Sequence, residues 1–219
     1  MVYRRLLRLS LGALVALLPG LLLTGFAAPA ASAATSQCGS GCASLFSLAL
    51  GPGDVTAVTG ASGTSARTGQ PVALEPASGS NQGEDWVPMA EGTVSDFFQA
   101  GLVSAGLNLH YGNDEVFEFD YVPFGTGTID CMGLATAAAS GASVSLQPCG
   151  VSARTLWVED TADQQQRMIP LINGSDTNFS HPFVLTAGGV GATLTTANLT
   201  GANGTIEGGQ FWSTEFGVL

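Results

Sequence analysis

Apolar residues in this chain gather in short runs separated by glycine, serine, asparagine and proline. Phe46 to Leu50, Val55 to Val58, Val116 to Val122, Ser143 to Gln147, Phe183 to Thr186 and Ala192 to Thr196 each have the length or alternation of a strand. Many short strands with frequent turn residues predict an all-β sandwich or barrel. Helical spacing is confined to two places. Val94 to Leu107 predicts one short helix, weakened by Gly101 and Gly106. Gln164 to Ile169 predicts a helical turn, stopped by Pro170. His110 falls in Leu107-Asn108-Leu109-His110-Tyr111, which reads as a strand edge.

The N-terminus follows a different pattern. Arg4, Arg5 and Arg8 flank the start of a mostly apolar stretch from Leu6 to Leu23, and Ala31-Ser32-Ala33 forms a small-x-small cleavage site. These features predict a secretory signal peptide over residues 1–33. A retained membrane helix fits less well, because Pro19 and Gly20 interrupt the run and no charged stop-transfer flank follows. Arg8 stands where a twin-arginine signal prefers an apolar residue, which favours the general secretory route. No later stretch has the ~20 apolar residues that span a bilayer. The expectation is a secreted, extracellular protein with no membrane attachment after cleavage, opened by a small segment at 34–44.

Three segments end in a tryptophan reached along a similar path. Val72-Ala73-Leu74-Glu75-Pro76 leads to Trp86, and Val144-Ser145-Leu146-Gln147-Pro148 leads to Trp157. A looser third segment, Ala197-Asn198-Leu199, leads to Gln210-Phe211-Trp212. From the central leucine to the tryptophan the steps are 12, 11 and 13 residues. Repetition of this kind predicts a three-fold architecture.

The middle repeat is the sharpest. Cys131-Met132-Gly133-Leu134 is followed by a Gly/Ala/Ser turn, then Val144 to Gly150 with Cys149, and Trp157 eight residues later. It resembles the ricin-type lectin repeat, with its paired cysteines, Val-x-Leu strand and Gln-x-Trp; Gln210-Phe211-Trp212 is a literal Gln-x-Trp. The resemblance covers about residues 45–219 and implies a β-trefoil with three repeats, at about 45–100, 101–175 and 176–219. Trp86, Trp157 and Trp212 would then pack in the shared core, one per lobe. The tryptophans stand 71 and 55 residues apart, so long inserted loops are expected. In sugar-binding lobes of that family, the residue two after the first cysteine is an aspartate that accepts bonds from sugar hydroxyls. Here it is Gly133, and the corresponding regions near Val58-Thr59 and Phe183 to Thr186 have no aspartate either. The resemblance therefore implies the scaffold and leaves the ligand contacts unassigned.

Charge narrows the partners. Cleavage after Ala33 leaves 219 − 33 = 186 residues with 3 basic and 17 acidic side chains, formally −14, and no lysine. Such a surface does not bind nucleic acid, which needs basic groups against phosphate, and it is repelled by anionic lipid. Cys38, Cys42, Cys131 and Cys149 are an even set in an exported chain, which suggests disulfides. Three pairings are open. Cys131 with Cys149 is favoured because both lie in the middle repeat, leaving Cys38 with Cys42. Zinc fits poorly, since the two pairs are about 90 residues apart.

Asp114 to Tyr121 is the densest acidic stretch. As a strand it places Glu118 and Asp120 on one face and Phe117, Phe119 and Tyr121 on the other. A solvated acidic face is the simplest reading, with a calcium site and a glycosidase carboxylate pair as alternatives. There is no His-Glu-x-x-His, Gly-x-Ser-x-Gly or P-loop motif, so neither enzymatic activity nor a cofactor or metal is expected. Asn173, Asn178, Asn198 and Asn203 head Asn-x-Ser/Thr sequons. The expected function is a monomeric, non-catalytic module for extracellular or cell-wall carbohydrate. The alternative is a β-trefoil that has lost sugar binding and binds protein, such as a protease inhibitor.

Overall fold

The computed structural model describes residues 42–47, 49–51, 53–60, 67–78, 82–89, 92–123, 128–150, 152–164, 168–200 and 209–216. The predicted signal peptide, Cys38 and Asn203 lie outside the described residues. Among these residues there are twelve strands, which group in fours once the third repeat is taken to begin at Leu171 rather than at about 176. The first four are β1 (Ala43–Ser47), β2 (Asp54–Val58), β3 (Val72–Pro76) and β4 (Trp86–Pro88). The second four are β5 (Val116–Tyr121), β6 (Asp130–Leu134), β7 (Val144–Pro148) and β8 (Leu156–Glu159). The third four are β9 (Leu171–Asn173), β10 (Phe183–Thr186), β11 (Thr195–Asn198) and β12 (Trp212–Phe216).

Pairing turns this list into a closed figure. The outer strands of each repeat run in a ring, β1 to β4 to β5 to β8 to β9. The Ile169–Trp212 bridge carries the ring to β12, and β12 pairs back with β1. Closure leaves the barrel strands no free edge. The inner strands form three hairpins, β2–β3, β6–β7 and β10–β11. Bridges at Pro71–Ser145, Ser143–Thr195 and Ala73–Thr193 join the hairpins into a triangular cap. A six-stranded barrel capped by three hairpins is a β-trefoil.

The core obeys the same three-fold rule. Trp86, Trp157 and Trp212 are all buried in it. Their indole N–H groups donate to Thr56 O (3.1 Å), Met132 O (2.9 Å) and Leu185 O (2.9 Å). Each ring therefore fills the core and also caps the first strand of its own hairpin, the usual arrangement for a buried indole. Leu45, Phe119 and Leu171 fill equivalent barrel positions beside them.

The bonds also correct the third repeat. Thr56 pairs with Leu74, Met132 with Leu146, and Leu185 with Thr196. The true counterpart of the two leucines is thus the buried Thr196, not Leu199. Threonine at a core position hid the register, and its hydroxyl is satisfied at 2.7 Å by Ala139 O.

The main insert, between β4 and β5, is helical. It holds two helices, α1 (Val94–Gln99) and α2 (Ala105–Tyr111), where one was expected. Thr93 and Asp96 form a capping box at the start of α1. Gly101, at φ +75°, ends it, and Ser104 Oγ caps α2 by accepting from Leu107 N. Gly106 does not break α2. A side chain there would come within 2.5 Å of the Phe179 ring, so the glycine makes room for packing. His110 consequently lies on a helix and is exposed, not on a strand edge. Of the helical turn expected over Gln164 to Ile169, residues 165–167 lie outside the described residues; a 3₁₀ turn covers Thr161–Asp163 before it, and Met168 and Ile169 form bridges.

Candidate functional site

The hairpin positions where the resemblance would place a sugar-binding aspartate are Ala57, Gly133 and Thr186, each one residue past the carbonyl that holds a tryptophan. Gly133 faces the backbone of the next turn. A Cβ there would lie 2.8 Å from Arg154 O and 2.9 Å from Thr155 Cγ2. The position in lobe 2 is therefore filled as well as lacking its acid.

The residue two before each tryptophan has a structural task. In lobe 1, Glu84 accepts from Ser78 N at 3.0 and 3.1 Å. In lobe 3, Gln210 accepts from Thr200 N at 2.8 Å and donates to Asn198 O at 2.9 Å. Ser78 and Thr200 stand four residues after Leu74 and Thr196, so the two bonds are equivalent. Lobe 2 has only the short Thr155 at this point. There Glu118, from the neighbouring strand β5, takes the equivalent Gly150 N at 2.8 Å and the Thr155 hydroxyl at 2.5 Å. One Glu118 oxygen is thus committed to closing the lobe.

Asp120 is the departure from symmetry. It pairs with Cys131 as Phe46 pairs with Val55 and Ile172 with Val184. Lobes 1 and 3 bury an aromatic and an aliphatic side chain there, and lobe 2 has a carboxylate. Asp120 sits in a hollow of about 280 Å³ lined by Met89, Glu118, Thr128, Ile129, Cys131 and Cys149. Burial pushes its carboxyl up to about 6, and the nearby Glu118 and Asp130 charges add to the shift. Cys131 and Cys149 are bonded to each other across β6–β7, as the repeat predicted. Asp120 Oδ1 approaches Cys149 Sγ at 3.8 Å, a contact and not a hydrogen bond, because a disulfide sulfur carries no proton. Cys42 is also disulfide-bonded.

Asp120, Cys131 and Cys149 are the only three metal-type donors found close together among the described residues. With both sulfurs oxidised, no thiolate is available to a metal. On the 114–121 stretch, where calcium is the alternative, two of the carboxylates serve separate tasks. Asp114 accepts from the Thr161 hydroxyl at 2.8 Å, and Glu118 closes lobe 2.

A second acidic region surrounds the insert. Burial, reinforced by Asp160, Asp176, Asp163 and Asp114, raises the Tyr111 hydroxyl above its ordinary range. Asp160 is pushed up to about 6 by burial and then by Asp163. Asp176 is raised by burial, and the backbone N–H groups of Asn178, Thr177 and Phe183 oppose that shift; its Oδ1 accepts from Asn178 N at 3.0 Å. His110 stacks on Phe179 at 4.8 Å, which anchors α2 to lobe 3. The sequon residue Asn173 is fully buried, and its amide donates to Arg154 O at 3.0 Å, so the folded chain does not present it for glycosylation.

No family model matches the chain, and no curated protein matches it. Among solved structures it is similar to ThreeFoil, a designed 3-fold symmetric protein. The TM-score is 0.54 at 14% identity, over 80% of this chain and 97% of that one. It also aligns with a "PSL1a-E64 complex" at TM-score 0.49 and 14% identity, over 81% of this chain and 49% of that one. The likeness to a three-fold symmetric structure agrees with the strand ring and the three tryptophan bonds, and it concerns the fold alone.

Proposed function

We propose that this protein is a secreted, non-catalytic carbohydrate-binding β-trefoil related to the ricin B-type lectins. The observation that carries the reading is lobe 2. It combines the spacing of Cys131, Cys149 and Trp157 with a cross-hairpin disulfide on a three-fold barrel. The literal Gln-x-Trp of lobe 3 supports it, because Gln210 is nearly fully buried and ties its loop to β11. The absence of lysine and the formal charge of −14 after cleavage suit a protein working outside the cell. Among the described residues no helix is long and apolar enough to cross a membrane. The non-catalytic part rests on the sequence, which carries no His-Glu-x-x-His, Gly-x-Ser-x-Gly or P-loop motif.

A glycan array probed with the purified protein tests the reading. Signal on a coherent group of saccharides is the expected result. A blank array, together with inhibition of a protease in a parallel panel, would replace it with the protein-binding alternative.

A further inference from the structure

We propose that the hollow over Asp120 in lobe 2 is a binding site for an amino sugar, with the sugar's ammonium group paired to the Asp120 carboxylate. This rests on the carbohydrate-binding reading and adds a place and a chemical class to it. The pseudo-three-fold comparison is the starting point. Phe46 and Ile172 show that the fold accepts a buried apolar residue at this position, and both join one apolar cluster with Val55, Val184 and Leu199. Lobe 2 instead holds a half-buried carboxylate at the floor of an open hollow. That exchange costs stability, since desolvation disfavours the charge, and sites of function are where such costs are tolerated.

The lining decides the ligand. Asp120, Glu118 and the nearby Asp130 are all acidic, and among the described residues no basic side chain lines the hollow. No hydrogen-bond donor on another side chain reaches Asp120 among the described residues, and Arg154 is directed to Ala135 O and Ser152 Oγ. An anion is therefore excluded, and a cationic group relieves the mutual repulsion of the carboxylates. A hard divalent ion needs six or so oxygen ligands. With one Glu118 oxygen holding Gly150 and Thr155, Asp120 is the main carboxylate left, which suits an ammonium better. The rim is apolar: Met89 is 58% exposed and Ile129 is 80% exposed. Two exposed apolar side chains flanking an acid match a ring with a C–H face and a charged substituent. At about 280 Å³ the hollow admits a single sugar ring.

Titration calorimetry on the purified protein tests this with a glucosamine oligosaccharide, its N-acetylated form, a glucose oligosaccharide, lysine amide and calcium chloride. The expected result is binding of the glucosamine oligosaccharide, with both other sugars about tenfold weaker or more, the scale of one charged contact. Asp120→Asn should remove that preference. Asp120→Ile carries the residue type that lobe 3 already buries, so it should abolish binding while raising the Tm, which shows the fold intact. Equal affinity for all three sugars overturns the proposal, as does equal binding of lysine amide or calcium. Binding to some other glycan that both Asp120 variants leave unchanged overturns this site and leaves the carbohydrate-binding reading standing. No binding to any glycan overturns both.

Discussion

Trp157→Ala should remove much of the stability of the domain. The ring is fully buried, and its N–H donates to Met132 O at 2.9 Å. A tryptophan buries about 150–250 Å², which at ~25 cal/mol per Å² corresponds to about 4–6 kcal/mol. Large-to-small substitutions of buried aromatic residues cost about 3–5 kcal/mol. Against a typical domain stability of about 5–15 kcal/mol, that is a large share. Trp157→Phe separates the two contributions. It keeps most of the packing and strands the Met132 carbonyl, so the loss should be about 1–3 kcal/mol. Trp86→Phe should cost a similar amount, because its bond to Thr56 O is the equivalent one. Denaturant unfolding followed by circular dichroism measures both, with stability read from the midpoint at constant slope. A Trp157→Ala midpoint within about 1 kcal/mol of the parent would refute the core assignment and turn attention to a ligand-facing role.

Glu118→Ala should cost about 1–3 kcal/mol and speed amide exchange at Gly150, since the carboxylate closes lobe 2 there; unchanged exchange at Gly150 would contradict that role. Gly133→Asp should lower the Tm and install no sugar contact, because its Cβ meets Arg154 O at 2.8 Å; a stable variant with new sugar affinity would show that the site can open. Stability should rise as pH falls from 7.5 towards 5. Asp120 and Asp160 are raised from 3.8 to about 6 in the folded chain, so the native state binds more protons in that window. Their favourable contribution is present below 3.8 and lost as pH rises through about 6. Asp176 and Glu159 shift in the same direction, and the capping Asp96 in the opposite one. Both aspartates are partly solvated, so a Tm change of a few degrees is expected; a Tm that falls steadily over this range would contradict it.

In lobes 1 and 2 the hairpin strands are legible because their core positions are occupied by ordinary apolar residues, whereas β1 begins three residues before the expected Phe46. Leu74 and Leu146 stand in equivalent places, followed two residues later by Pro76 and Pro148. Lobe 3 was harder, since Thr196 replaces leucine and its hydroxyl is satisfied only by the folded backbone at Ala139. The helical insert was half legible: the apolar spacing was visible, but the stop at Gly101 and the restart at the Ser104 cap depend on backbone conformation. The acidic strand was placed correctly, and its meaning was not. Glu118 closes its own lobe through Gly150, 32 residues away, and Asp120 stands out only when superposed on Phe46 and Ile172. Neither relation is local, so neither leaves a motif.

The most direct test is retention of the purified protein on a panel of insoluble cell-wall polysaccharides, with elution by the matching soluble oligosaccharide. Retention that the soluble sugar competes away, with no loss or gain of sugar mass, is the predicted result. Passage through every matrix, or release of sugar products during incubation, would contradict a non-catalytic carbohydrate-binding trefoil.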